Sequence, residues 1–224
     1  CTSAAERPGK VRFVNPDLVA LPKALLHDHL DGGLRVATVL ELAEAAAYRY
    51  LPADDPDTLQ AWFHQGDSGS LESYLEAFDH TVAVMQTPEA VERVSYEAGV
   101  DLAADGVVYA EVRFGPSLLT QRGMAYEDAI EAALAGLSRA QRDTGIVAPL
   151  IVTAMRQMAD SEKVARAAVR FSGQGVVGFD LAGPEAGFPA DDHLPATRAA
   201  RRAGLGLSIH AGEGDGPNSV WRAI

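Results

Sequence analysis

The chain has 224 residues, 47% of them apolar and 22% charged, the composition of an ordinary globular protein with a sizeable core. Lys and Arg number 19 and Asp and Glu 31, so the formal net charge is −12, which disfavours binding to nucleic-acid phosphates. A membrane span needs about 20 consecutive apolar residues, and no such run is seen. The single cysteine, Cys1, excludes intrachain disulfides and cysteine-based zinc sites, so we expect a cytoplasmic protein.

Residues 1–20 form an arm in which the apolar residues have no regular spacing. After it, short apolar runs alternate with amphipathic stretches along the chain. The runs typical of buried parallel strands are 21–27, 107–114, 147–155, 175–183 and 205–212. The stretches with helical spacing are 36–48, 70–85, 88–105, 126–140, 161–171, 195–204 and 217–224, the last just beginning. This alternation predicts βα units around a parallel sheet.

Two connecting regions carry further signals. Thr87 and Pro88 have the residue types of an N-cap and a first helical position, and Gly106 is expected to end that helix. The segment 51–70 is rich in Pro, Asp, Gly and Ser, which predicts a long excursion over a surface or a site.

The architecture follows from what comes after the first strand. A doubly wound sheet usually carries a glycine-rich phosphate turn there, but "HDHLDGG" (27–33) fits neither that fingerprint nor a Walker A loop. A barrel instead places functional side chains at the carboxyl ends of several strands. His27 and His29, at the end of the first strand, and His210, at the end of the fifth, have that placement. We therefore predict an α/β fold of the (β/α)8 TIM-barrel type. Residues 1–224 would supply about five βα units of a single catalytic-type domain.

His27 and His29 are two residues apart at the end of the first strand. In a strand, residues i and i+2 point to the same side, roughly 6.5–7 Å apart, so both imidazoles can converge on one metal ion. The spacing alone also fits a pair of solvated or core histidines.

The stretch "SIHAGEGDG" (208–216) supplies a third histidine, His210, and a carboxylate, Glu213, in a glycine-rich turn. A third histidine with a nearby carboxylate is the usual composition of a catalytic zinc site. The alternative is a turn with an incidental glutamate.

A polar residue also interrupts the apolar strand in "GFDLAGPE" (178–185). Asp180 fits a functional role and a structural carboxylate that accepts backbone N–H groups equally well. Gly183 fits a turn, or a position that offers its N–H to a substrate.

Four stretches together, "LPKALLHDHLDG", "DLAADGVVYAEVRFGP", "VVGFDLAG" and "SIHAGE", resemble the adenosine deaminase family from about residue 21 to the end. The resemblance implies a (β/α)8 barrel with one zinc ion. It also implies a purine-salvage hydrolase that converts adenosine to inosine, and 2′-deoxyadenosine to 2′-deoxyinosine, with release of ammonia. The partner would be a small purine nucleoside, and the oligomeric state stays open.

The resemblance also implies roles for individual residues. His27, His29 and His210 would be zinc ligands, and Glu213 would donate a proton to purine N1. The other expected substrate contacts are His29, Asp31 beside the ribose and the backbone of Gly183 at purine N3. Trp62 and Phe63 fall where the family forms part of an apolar lid.

The chain ends at Ile224, at the start of its fifth helix, whereas the family carries a further histidine after strand six and two aspartates after strand eight. One of those aspartates is the fourth zinc ligand. We therefore expect part of a barrel, with open strand edges and low stability alone. Two alternatives remain open: a deaminase of another aminopurine (adenine, AMP or a related nucleoside), and a non-catalytic zinc-binding remnant.

Overall fold

The computed structural model describes residues 16–64 and 69–224, so Cys1 and most of the predicted arm lie outside the described residues. The end of that arm is a short helix, α1 (Pro16–Ala20). The strands are β1 (Lys23–His29), β2 (Val107–Phe114), β3 (Leu150–Met155), β4 (Val176–Ala182) and β5 (Gly206–Ile209). The other α-helices are α2 (Val36–Ala45), α3 (Pro56–Phe63), α4 (Leu71–Val84), α5 (Pro88–Ala104), α6 (Tyr126–Thr144), α7 (Ser161–Arg170), α8 (Leu194–Arg202) and α9 (Pro217–Ala223). None of the described helices has the length and apolarity that a membrane crossing requires.

The five strands are all parallel and lie side by side in chain order, β1-β2-β3-β4-β5. Helices connect each strand to the next, as in a (β/α)8 barrel. A doubly wound sheet would instead reverse its strand order at a switch point. Within the described residues β1 and β5 each pair with one neighbour only, so the sheet is an open part of a barrel, as predicted.

The middle strands are buried because helices cover the outside of the sheet. Leu150, Val152, Phe179 and Leu181 have no measurable exposure. Burying one such side chain contributes about 1.5–3 kcal/mol, so these strands hold much of the core. Some residues at the amino ends of the strands stay exposed, and Val108, the second residue of β2, is 54% accessible.

Local sequence signals fix the ends of α5 as predicted. The Thr87 hydroxyl accepts the Ala90 N–H at 3.3 Å, and Pro88 begins the helix. Gly106 follows with a φ of +79°, a conformation that glycine adopts without strain.

The segment 51–70 differs from the prediction, because α3 occupies part of it and residues 65–68 lie outside the described range. The Asp55 carboxylate accepts the Thr58 N–H at 2.9 Å, and Pro56 is the first helical residue. Asp and Pro therefore start a helix here, and the fully buried Leu59 anchors it.

Candidate active site and metal centre

A cavity of about 680 Å³ opens at the carboxyl ends of the strands. Its walls come from the ends of β1, β3, β4 and β5 and from α4. Six of the site residues predicted from the sequence line it: His27, His29, Asp31, Gly183, His210 and Glu213. The structure thus brings together residues that lie up to 186 positions apart, from His27 to Glu213 (213 − 27).

The three histidines converge through one nitrogen each. Nε2 of His29 lies 3.1 Å from Nε2 of His27 and 3.1 Å from Nε2 of His210. Imidazole nitrogens about 2.0–2.1 Å from a tetrahedral zinc ion are about 3.4 Å apart, close to this spacing. The donor set can therefore hold a metal ion, although further ligands are needed to complete the coordination.

A carboxylate orients His210 from the neighbouring strand. Nδ1–H of His210 donates to Oδ1 of Asp180 at 3.0 Å, which leaves Nε2 with a free lone pair. Metal-binding histidines commonly have such a carboxylate behind them. His29 has a looser version of this contact, because its Nδ1 lies 3.6 Å from Oδ1 of Asp31.

Asp180 itself is fully buried and is held by several groups. It accepts the Leu181 N–H at 2.7 Å and the Thr153 hydroxyl at 3.1 Å, and Arg113 Nη1 lies 3.4 Å away. Burial alone would raise the pKa of Asp180, but the bond from His210, the Arg113 charge and Thr153 outweigh it and lower the pKa. Asp180 therefore accepts a backbone N–H and also orients His210.

Arg113 is a buried charged residue behind the histidine cluster that the sequence reasoning missed. It is 1% exposed, although it carries a charge, and it lies on β2. Its guanidinium donates to Ser208 Oγ at 2.9 Å and to the Leu26 carbonyl at 2.8 Å, besides facing Asp180. A charge inside the apolar run "VVYAEVRF" is the signal that could have marked it.

The same charge affects His27. Desolvation, the positive charge of Arg113 and the neighbouring histidines His210 and His29 together lower the pKa of His27 to about 4. Its imidazole is therefore neutral at physiological pH, and the neutral form is the one that binds metal ions.

Asp31 and Gly183 have more constrained surroundings than the sequence suggested. Asp31 is 3% exposed, and its Oδ2 accepts the Gly115 N–H at 3.1 Å, while within the described part of the chain Oδ1 has no hydrogen-bond donor. Gly183 has a φ of +100°, and a Cβ there would lie 2.4 Å from Oε1 of Gln157. Only glycine fits that position without displacing the wall.

The apolar wall of the cavity comes from α4, not from the predicted lid residues. Among the described residues, neither Trp62 nor Phe63 lines this cavity, and the Trp62 ring packs edge-on against His80 at 5.1 Å. The α4 side chains that line it are Leu71, Tyr74, Leu75, Phe78 and Val82. This is the helix face whose apolar spacing is visible in the sequence.

Comparison with known proteins gives a consistent family assignment. The family model for adenosine deaminase matches residues 22–224. The adenosine deaminases of Mycobacterium ulcerans and Mycobacterium leprae are each 52% identical over 209 residues, covering 91% of this chain and 58% of the relative. That of Mycobacteroides abscessus is 52% identical over 217 residues, covering 93% and 60%. The chain thus spans about three fifths of the length of these relatives.

Solved structures share the fold at lower identity. An adenine deaminase from Arthrobacter aurescens matches with a TM-score of 0.74 at 28% identity, over 89% of this chain and 60% of that chain. An N6-mAMP deaminase from Arabidopsis matches at 0.77 and 26%, over 92% and 63%. An amidohydrolase from Burkholderia ambifaria, solved with bound Zn, matches at 0.74 and 29%, over 87% and 53%.

The sequence match and the site geometry agree. The matched region runs from just before β1 and contains the three converging histidines and Glu213. The fold neighbours are two deaminases and an amidohydrolase solved with bound Zn. The chain belongs to the adenosine deaminase family.

Proposed function

We propose that the protein catalyses the zinc-dependent hydrolytic deamination of adenosine and 2′-deoxyadenosine to inosine and 2′-deoxyinosine, with release of ammonia. The observation that carries this proposal is the convergence of three imidazole nitrogens in a cavity that Glu213 also lines. The curated relatives at 52% identity, named adenosine deaminase, support the choice of substrate.

The histidine cluster suits zinc by its chemistry. His27, His29 and His210 each offer one ring nitrogen, and these three atoms all lie within 4.8 Å of one another. When bound there, zinc would supply a water whose pKa falls from about 15.7 to about 7, a nucleophile at neutral pH. Asp180 would keep the His210 ring in the orientation that this binding requires.

Glu213 would act as the general acid of the reaction. Addition of water at C6 breaks the aromaticity of the purine, and negative charge builds up at N1. A carboxylic acid beside N1 can supply the proton that neutralises it. Glu213 follows β5 and lines the cavity that the three histidines also line.

The remaining cavity residues would bind the nucleoside. The Gly183 N–H would donate to purine N3, and His29 and Asp31 would contact the ribose. Phe78 and the rest of the α4 wall would cover the base. The described residues that line the cavity include no Lys or Arg, so this part of the wall offers no cation to a phosphate, which favours a nucleoside over AMP.

The test incubates the zinc-loaded protein with adenosine, 2′-deoxyadenosine, adenine or AMP. Chromatography measures how much of each compound is deaminated. We expect turnover of the two nucleosides. In Glu213→Gln the kcat should fall by about 100- to 10,000-fold while zinc stays bound. In His210→Ala both zinc and activity should be lost. Preferential turnover of AMP or adenine, or zinc binding without any deamination, would overturn the proposal in favour of another aminopurine substrate or a non-catalytic zinc protein.

A further inference from the structure

We infer that Glu185 is a positioning residue whose carboxylate holds the turn that carries Glu213 in place against the cavity. This inference rests on the proposed function, because it assigns Glu185 a task toward the proposed proton donor. Glu185 follows β4, whereas the turn follows β5, so the contact joins two separate loops of the barrel.

The carboxylate of Glu185 contacts the turn on both sides of the proposed donor. Its Oε1 accepts the Gly212 N–H at 2.6 Å and the Ser219 hydroxyl. Its Oε2 accepts the N–H groups of Gly214, at 2.6 Å, and Asp215, at 3.1 Å. Both oxygens are therefore saturated by four donors, three of them backbone groups of one turn.

The charge on Glu185 is stable in this setting. The side chain is buried, with 4% of the residue exposed. Burial alone would raise the pKa of Glu185, but the four hydrogen bonds from the turn and α9 outweigh it and lower the pKa to about 2. An ionised carboxylate accepts hydrogen bonds only, which suits a site made entirely of donors.

The turn needs such an anchor because its own side chains give it little support. Gly212 and Gly214 flank Glu213, and all three residues are exposed. Glycine leaves the backbone more conformational freedom than any other residue. A catalytic group on a free turn of this kind would lose the placement on which proton transfer depends.

A second buried group holds the start of the same turn. Arg156 is 3% exposed, and its Nη2 donates to the main-chain carbonyl of His210. Its Nη1 donates to the Phe188 carbonyl at 3.0 Å, on the loop that also carries Glu185. The turn is therefore fixed at its first residue by Arg156 and around Glu213 by Glu185.

The test compares the Glu185→Gln and Asp192→Asn variants of the zinc-loaded protein. Gln replaces one oxygen with an NH2 group that cannot accept the two donors facing it. We expect the kcat for adenosine to fall by about 10- to 100-fold, the size of effect that a misplacement of about 1 Å produces. Zinc content, and affinity for a nucleoside analogue that lacks N1, should stay unchanged. Asp192 is an exposed carboxylate, and its variant should match the parent.

A double-variant cycle separates positioning from a merely structural role. If Glu185 acts through Glu213, then Glu185→Gln should cause almost no further loss of kcat in a Glu213→Gln background. Ser219→Ala, which removes one donor, should give a smaller loss of the same kind if Glu185→Gln does not fold. Equal fold losses in both backgrounds, or loss of zinc, would overturn the inference alone. Full activity of Glu213→Gln itself would overturn both the inference and the proposed proton donor.

Discussion

Arg113 and Asp180 form an almost completely buried ion pair, with 3.4 Å between Nη1 and Oδ2, and the other oxygen of Asp180 accepts Nδ1–H of His210. The pair therefore lies directly behind a proposed metal ligand. Burying two charges costs much of what their attraction contributes, so such a pair is poor evidence for stability. Its contact with His210 points to a role in placing the imidazole, and the two residues can be tested separately.

Asp180→Asn should weaken metal binding. The His210 Nδ1–H would lose a charged acceptor, and changes of such outer partners typically cost about 10- to 100-fold in metal affinity. Competition with a chelator measures the effect. Thr153→Val is the matched control, because it removes a hydrogen bond to Asp180 but leaves the His210 contact in place. An unchanged affinity in Asp180→Asn would show that the carboxylate does not support the ligand.

Arg113→Met should lower the free energy of unfolding by about 3–5 kcal/mol, because it leaves Asp180 buried without its cation. Urea unfolding of the metal-free protein measures this change. The double variant Arg113→Met/Asp180→Asn removes both charges, so we expect it to be more stable than Arg113→Met alone. A double variant whose loss equals the sum of the two single losses would contradict a direct coupling between these residues.

Stability should depend on Glu185 in a defined pH range. The pKa of Glu185 is about 2 in the folded protein, against 4.5 for an ordinary glutamate. Between these values the unfolded chain binds a proton that the folded chain does not, so the stabilisation is full above pH 4.5 and is lost as the pH falls toward 2. The difference in free energy of unfolding between the parent and Glu185→Gln should therefore shrink below pH 4.5. A constant difference across this range would contradict the ionised, hydrogen-bonded carboxylate.

Much of the fold and part of the site could be predicted because their causes are local. A buried parallel strand is a continuous apolar run, and all five predicted strands are present, with 107–114 correct at both ends. The carboxyl ends of the strands of a barrel meet at one mouth. That rule is enough to bring His27 and His29, from one motif, together with His210, from another.

The other parts of the site depend on contacts between distant residues. A charge within an apolar run indicates that Arg113 is unusual, but the run does not reveal Asp180, 67 positions later, as its partner. Glu185 is equally uninformative in the sequence, because its partners are mostly backbone N–H groups, which every residue type except proline possesses. The helix α3 was missed although its signal is local. Asp and Pro favour both loops and helix starts, so the sequence there fits either structure.

Gly183→Ala should impair substrate binding in addition to its effect on the fold. The new Cβ would lie 2.4 Å from Oε1 of Gln157, so either that side chain or the Gly183 backbone must move. Loss of one backbone hydrogen bond to the purine costs about 1–1.5 kcal/mol, so we expect the KM for adenosine to rise by up to about tenfold, with zinc retained.

Gly187→Ala is the matched control for this variant. Gly187 has a similar φ of +82°, but a Cβ there would meet nothing within 4 Å. It therefore carries the left-handed backbone penalty of about 1–2 kcal/mol without touching the cavity wall. Thermal unfolding of both variants measures the shared penalty, and steady-state kinetics measure the effect specific to Gly183. Of these two glycines, Gly183 lines the cavity and Gly187 does not. Equal KM values in the two variants would therefore mean that the Gly183 N–H does not contact the substrate.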